Sequence, residues 1–284
     1  MKTRLVILLL IAFPFVIKAQ APQGYTLAWE ENFSGNVLDA AIWNVETGDF
    51  GAYANSEQQF YTEDAIEVSQ GTLKITAQWD QNDNRIESGR FNSRGKKIFG
   101  DGYYEARVRF RGTYHNSIFA AFWSMGYRHE DSTYAAHAFP SGSGWPSCGE
   151  NDFMEWVGTD DDDHPNDSLY SPFGTCHYNP TPENAGSEWP HNWAYDTNFG
   201  PAGILNPTEW HTVGAKIEAG QCTYYLNGEP YAVYDLSPQS ELLEDRFLIC
   251  NMAIGGHLAD DYLPENTLPA TIMEWDYIHF YVKK

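Results

Sequence analysis

Short runs of alternating polar and apolar residues, each cut off by Gly, Asn, Asp or Pro, recur along this chain and steer it towards a β fold. Residues 72–77, Thr-Leu-Lys-Ile-Thr-Ala, and 104–110, Tyr-Glu-Ala-Arg-Val-Arg-Phe, keep a period of two. That is the repeat of a strand with one buried face. Residues 210–217, 222–226, 247–254 and 272–282 read as further strands. Asn227-Gly228, placed directly after Tyr224-Tyr225-Leu226, is a two-residue hairpin signal, because both positions tolerate positive φ. Almost no stretch holds the i, i+3, i+4, i+7 register of an amphipathic helix. Many short strands at this spacing predict an all-β, two-sheet sandwich. A chain of 284 residues with 42% apolar content can close one such domain around a sizeable core.

Charge narrows the partners. With 17 basic against 39 acidic residues, the formal net charge is −22. A nucleic-acid binder needs clustered cations, so this balance excludes one; it also disfavours strongly anionic substrates. The N-terminus holds three of the cations. Lys2 and Arg4 precede an uncharged apolar run over residues 5–16, followed by Ile17-Lys18-Ala19-Gln20. This is the pattern of a secretory signal peptide over residues 1–19, cut after Ala19. Its apolar run is too short to span a bilayer. Residues 20–284 then form a single domain with 14 basic and 39 acidic residues. The expectation is a secreted or periplasmic monomer without membrane insertion after cleavage.

Cys148, Cys176, Cys222 and Cys250 lack CxxC spacing, which argues against a zinc cage. Export permits disulfides, and the sequence leaves one or two bridges or four buried thiols open. Residues 127–144 and 159–207 are rich in Gly, Pro, Asp, His and Trp. Long loops on a β scaffold often shape binding sites. The acidic run 160–163 reads as a solvated loop, and His129-Glu130-Asp131 lacks HExxH metal spacing.

The segment that carries chemistry is Trp145-Pro-Ser-Cys-Gly-Glu150-Asn-Asp152-Phe-Met-Glu155-Trp156. On a regular strand Glu150 and Asp152 share a face while Glu155 points away. One extra residue, a β-bulge near Phe153-Met154, would bring Glu155 back to that face. Retaining glycoside hydrolysis uses two carboxyls about 5–5.5 Å apart, a nucleophile and an acid that becomes a base. Glu150 and Glu155 suit those roles, with Asp152 between them pushing their pKa values apart. By spacing alone, the three acids fit a solvated strand face equally well.

This segment is similar to the active-site strand of glycoside hydrolase family sixteen, in its bulged ExDxxE form. The likeness extends over nearly the whole mature chain, through Asn55-Ser-Glu57-Gln-Gln-Phe-Tyr61, Gln70-Gly71-Thr-Leu73, Ser88-Gly-Arg90, Gly102-Tyr-Tyr-Glu105-Ala-Arg107 and Ala121-Phe-Trp123. After the acidic strand come His177, Trp210-His211, Tyr225-Leu-Asn-Gly228, Asn251-Met-Ala-Ile-Gly-Gly256 and Asp276-Tyr-Ile. The flanking segments most resemble the laminarinase branch, the endo-β-1,3-glucanases.

The resemblance implies a β-jelly-roll of two antiparallel sheets with an open concave cleft, acting on internal bonds of a polysaccharide with retention. Glu150 would be the nucleophile, Glu155 the acid/base, and Asp152 would tune the pair. Asn55, Arg90, Trp123, Trp145 and His177 would contact substrate. Trp29, Trp43, Trp210 and Trp275 are expected in the core, while Trp189 and Trp193 fit either a cleft rim or packing. No cofactor is implied for catalysis. A structural Ca²⁺ is implied at Asn32, Gly71 and Asp276, with Asn32 in place of a usual Glu. Asn151 stands where an apolar residue is usual and requires buried hydrogen-bond partners. Ile118-Phe119 stand where relatives carry Trp-Pro, which would remove an aromatic wall. Two alternatives to a neutral β-1,3 or mixed β-1,3/1,4 glucanase stay open: a hydrolase of agar-type or sulfated galactans, and an inactive glucan-binding protein.

Overall fold

A computed structural model describes residues 21–112, 116–127, 145, 148–157, 172–178, 191–194, 205–237, 240–259 and 270–284. The segment expected to be a signal peptide and the acidic run lie outside the described residues, as do Trp189 and most of the two long loops; of Trp193 only the backbone is described. In chain order the first strands are β1 Tyr25–Glu31, β2 Asn44–Val45, β3 Gln59–Tyr61, β4 Ile66–Ser69, β5 Thr72–Asp80, β6 Arg85–Ser88, β7 Arg90–Asn92, β8 Gly102–Gly112 and β9 Ile118–Gly126. They are followed by β10 Glu150–Val157, β11 Phe173–His177, β12 His191–Ala194, β13 His211–Glu218, β14 Gln221–Leu226, β15 Glu229–Asp235, β16 Arg246–Ile254 and β17 Thr271–Lys283. Among the described residues one short α-helix, α1, spans Phe50–Asn55.

These strands form two sheets. The larger runs β15-β14-β13-β8-β17-β5-β6-β3, with β1 on β17 and β4 on β5. The smaller runs β12-β11-β10-β9-β16-β7-β2. Pairing between the strands is antiparallel except for β3 with β6. The jelly-roll sandwich expected from the sequence is the observed architecture. The Asn227-Gly228 hairpin also forms, with φ of 52° and 81° and Leu226 paired to Glu229.

Alternation decides which residues meet between the sheets. In β8, Tyr104, Ala106, Val108 and Phe110 enter the core, and the intervening Tyr103, Glu105, Arg107 and Arg109 take the outer face. Leu73, Ile75, Phe122, Met154, Trp156, Leu248, Met252 and Trp275 join the same cluster. Trp43 and Trp275 are core residues as expected, and Trp29 packs against that core from its edge. Trp210 departs from expectation: Arg107 and Arg109 lie 5.0 and 4.3 Å from its ring centroid. Two cations from the outer face of β8 hold this ring outside the core.

All four cysteines are buried and free, which settles the open alternative in favour of thiols. Asn151 finds its partner among them, accepting a hydrogen bond from the Cys176 Sγ at 3.3 Å. No helix among the described residues is long and apolar enough to cross a membrane.

Candidate active site

The smaller sheet buries residues on both faces, and its non-core face is the cleft floor. Register assigns the floor. β10 pairs Glu150 with Met125, Asp152 with Trp123, Glu155 with Ala121 and Val157 with Phe119. The pairing slips between Asp152 and Met154, so Phe153 is the extra residue of a β-bulge. Phe153 and Met154 both enter the core, and Glu150, Asp152 and Glu155 consequently share the cleft face. Phe153 is anchored there by stacking on Tyr104 at 4.6 Å and by an edge contact to Phe122 at 5.3 Å.

The acids are almost wholly buried, at 8%, 3% and 5% exposure for Glu150, Asp152 and Glu155. His177 Nε2 lies 3.6 Å from Glu150 Oε1 and 3.4 Å from Asp152 Oδ2. Trp145 donates a hydrogen bond to Glu150, and its ring lies 5.8 Å from that of His177. The Thr175 hydroxyl donates to Glu155 Oε2. Burial, then the charge of Asp152, pushes Glu150 well above the ordinary carboxylate range, against the pull of His177. Burial and then Glu155 push Asp152 well up. Glu155 is raised by burial and held down by His177 and Thr175. The cluster therefore keeps protons that exposed carboxylates would lose.

That retention has a stability cost with a definite sign. A carboxyl whose folded-state pKa exceeds its unfolded value of about 4.3 stabilises the fold fully below that pH. The contribution is lost as pH climbs through the folded value. Glu150→Gln removes the titration, so its Tm is expected to match wild type near pH 4 and exceed it increasingly towards pH 8. Thermal unfolding across that range checks this, and a gap that narrows with rising pH would contradict it.

The expected sugar-contact residues form one connected floor beside the acids. The Arg90 guanidinium lies 4.9 Å from the Trp123 ring centroid and its Nε donates to Glu46 at 2.5 Å. Trp123 Nε1 donates to Asn251 Oδ1 at 2.8 Å, and Asn251 Nδ2 donates to the Tyr61 hydroxyl at 3.2 Å. Glu57 gathers the far end, accepting from Asn55 at 3.2 Å, Gln59 at 2.6 Å and Tyr61 at 3.3 Å. Glu46, Asn251 and Thr175 were not singled out by sequence. Thr175 stands two residues before His177, a spacing that places both on one strand face. Of the pair standing in place of Trp-Pro, Ile118 enters the core, while Phe119 packs on the cleft side with Val157, Ala253, Leu258 and Ala259.

The calcium set fits an ion poorly. The Asp276 carboxylate accepts from Arg107 at 2.6 Å, so a guanidinium already neutralises its charge. Asn32 Oδ1 is engaged by His279 Nε2 at 3.1 Å. Elsewhere among the described residues, donor atoms converge within 4.8 Å at Glu150, Asp152 and His177 and at Asp80, Asp83 and Glu87. The second group has Arg85 within 2.8 Å of Asp83 and 2.7 Å of Glu87, again supplying the cation itself.

Comparison with known proteins agrees with this fold. No family model matches the chain. A laminarinase catalytic domain from Thermotoga petrophila superposes with a TM-score of 0.70 at 25% identity, covering 92% of this chain and 98% of that one. The chain thus shares the fold of a laminarinase catalytic domain over nearly its whole length. A second solved structure, a laminarinase from Flavobacterium sp., gives a TM-score of 0.66 at 25% identity over 90% of this chain and 100% of its own. The glucan endo-1,3-beta-glucosidase A1 of Niallia circulans is 27% identical over 91% of this chain, which spans only 38% of that relative's length.

Proposed function

We propose that this chain is a secreted, retaining endo-glycosidase that hydrolyses internal β-1,3 linkages of a neutral glucan, with mixed β-1,3/1,4 glucan as a further substrate. The observation that carries it is the bulge at Phe153, which brings Glu150, Asp152 and Glu155 onto one cleft face. The named activities of the laminarinase relatives supply the substrate class.

In this reading Glu150 attacks the anomeric carbon while Glu155 gives its proton to the departing glycosidic oxygen. Water then enters, surrendering a proton to Glu155 as it displaces Glu150, and configuration is retained. His177 and the Trp145 hydrogen bond favour the ionised nucleophile, pulling against the burial and the Asp152 charge that raise Glu150. Trp123 offers a ring face to a pyranose, and Arg90 and Asn55 offer donors to hydroxyls. The proposal includes export after cleavage at Ala19, one catalytic domain over residues 20–284 and a monomeric state. A structural calcium at Asn32, Gly71 and Asp276 is left out because Arg107 occupies the carboxylate; chelation with EDTA is therefore expected to leave Tm unchanged. A lowered Tm that added Ca²⁺ restores would reinstate the ion.

The experiment is incubation with laminarin, barley mixed-linkage glucan, agarose and carrageenan, with oligosaccharides profiled and the anomer of the first product read by NMR. Oligosaccharides from laminarin in the β configuration are expected. Products from a galactan alone would overturn the substrate, an inverted anomer would overturn the mechanism, and no products from any of the four would favour a binding protein.

A further inference from the structure

Thr175 has no exposed surface, and its hydroxyl donates to Glu155 Oε2. Register places Thr175 on β11 directly opposite Asp152, while Glu155 is paired with Phe173 beyond the bulge. The hydroxyl therefore meets Glu155 because the bulge brings that side chain to the cleft face. Its backbone is pinned from the other side of the sheet. The Tyr224 hydroxyl, from β14 of the opposite sheet, donates to the Thr175 carbonyl at 3.1 Å and lies 3.0 Å from Cys176 Sγ. The Tyr224 ring packs against Gly174, where a Cβ would come within 2.2 Å of it. A segment held this tightly fixes where the Thr175 hydroxyl points.

We propose that Thr175 is a positioning residue for Glu155, orienting its carboxyl so that Oε1 is the oxygen that carries and delivers the proton. The inference rests on the assignment of Glu155 as the acid. An oxygen that accepts the Thr175 O–H is a poor place for the carboxyl's own proton, so the proton resides on Oε1. From there it passes to the glycosidic oxygen as the bond to the anomeric carbon breaks and Glu150 supplies the new electron pair. In the second half-reaction the same hydrogen bond steadies the carboxylate that receives the proton of water. Among the described residues, the titratable groups facing Glu155 are Glu150 and Asp152 on its own strand and His177 on β11; β9 presents Ala121 and β16 presents Asn251, neither of which titrates.

The test compares wild type with Thr175→Val, which keeps the shape and removes the hydroxyl, and with Thr175→Ser, which restores it. Glu155 is titrated by carboxyl ¹³C NMR, its signal assigned by loss in Glu155→Gln, and pH–rate profiles are recorded alongside. Removing a hydrogen bond to the charged form should raise the Glu155 titration in the valine variant by about one pH unit. The alkaline limb of the rate profile should rise with it, and serine should return both to wild type. An unshifted Glu155 titration in the valine variant overturns the positioning role, even if Tm or turnover falls. Because the titration needs no substrate, a wild-type protein inactive on all four polysaccharides would overturn the proposed activity separately.

Discussion

Replacing Glu150 or Glu155 by glutamine is expected to lower turnover of the polysaccharide at least ~1000-fold, as when a group acting in the transition state is removed. That loss corresponds to about 4 kcal/mol of transition-state stabilisation. The two variants should differ in kind. An aryl glycoside with a good leaving group needs no protonation, so Glu155→Gln should still form the covalent intermediate and release a burst of phenol. Its second step lacks the base, and azide, a nucleophile that needs none, should restore turnover. Glu150→Gln should give neither burst nor rescue. Near-normal hydrolysis by either variant would remove the residue from the mechanism.

The second large effect is expected at Phe153. Its side chain is 1% exposed and wedged against Tyr104 and Phe122, which makes it the core anchor of the bulge. Phe153→Ala should cost about 3–5 kcal/mol, from lost burial and the cavity left behind. For a domain of this size that is a fall in Tm of roughly 10 °C. Turnover should also fall, because the bulge is what turns Glu155 towards the cleft. Chemical denaturation and laminarin assays check the two effects together. A variant as stable as wild type would show that the bulge is held by something other than its aromatic anchor.

The bulge is also where the sequence was most informative. Three acids at spacing two and three cannot share a face on a regular strand, so either Glu155 was not part of the site or the strand carried an extra residue. The alternation of β5 and β8 was legible for the same reason, since period two is imposed by the backbone itself. What stayed hidden depended on contacts between distant segments. Trp210 read as a core residue because nothing nearby in sequence announces that Arg107 and Arg109 will bracket it. Asp276 is implied as a calcium ligand by resemblance alone, and nothing near it in sequence announces that Arg107 donates to its carboxylate. Thr175 had no signal beyond its spacing from His177, because its meaning comes from a carboxyl 20 positions earlier. Asn151 lay between: its need for a partner was readable, but not that the partner would be a thiol.

The four separate, buried thiols bear on how the protein matures. Its sandwich contains no covalent cross-link between segments, so folding waits on neither an oxidant nor a disulfide isomerase. Burial pushes the thiols above their usual range, Cys222 to about 12, and this keeps them protonated and slow to react. The same chain should accordingly reach its native state on either side of a membrane, in a reducing cytosol or an oxidising exterior, and a thiol reagent should find nothing to label until the sandwich opens.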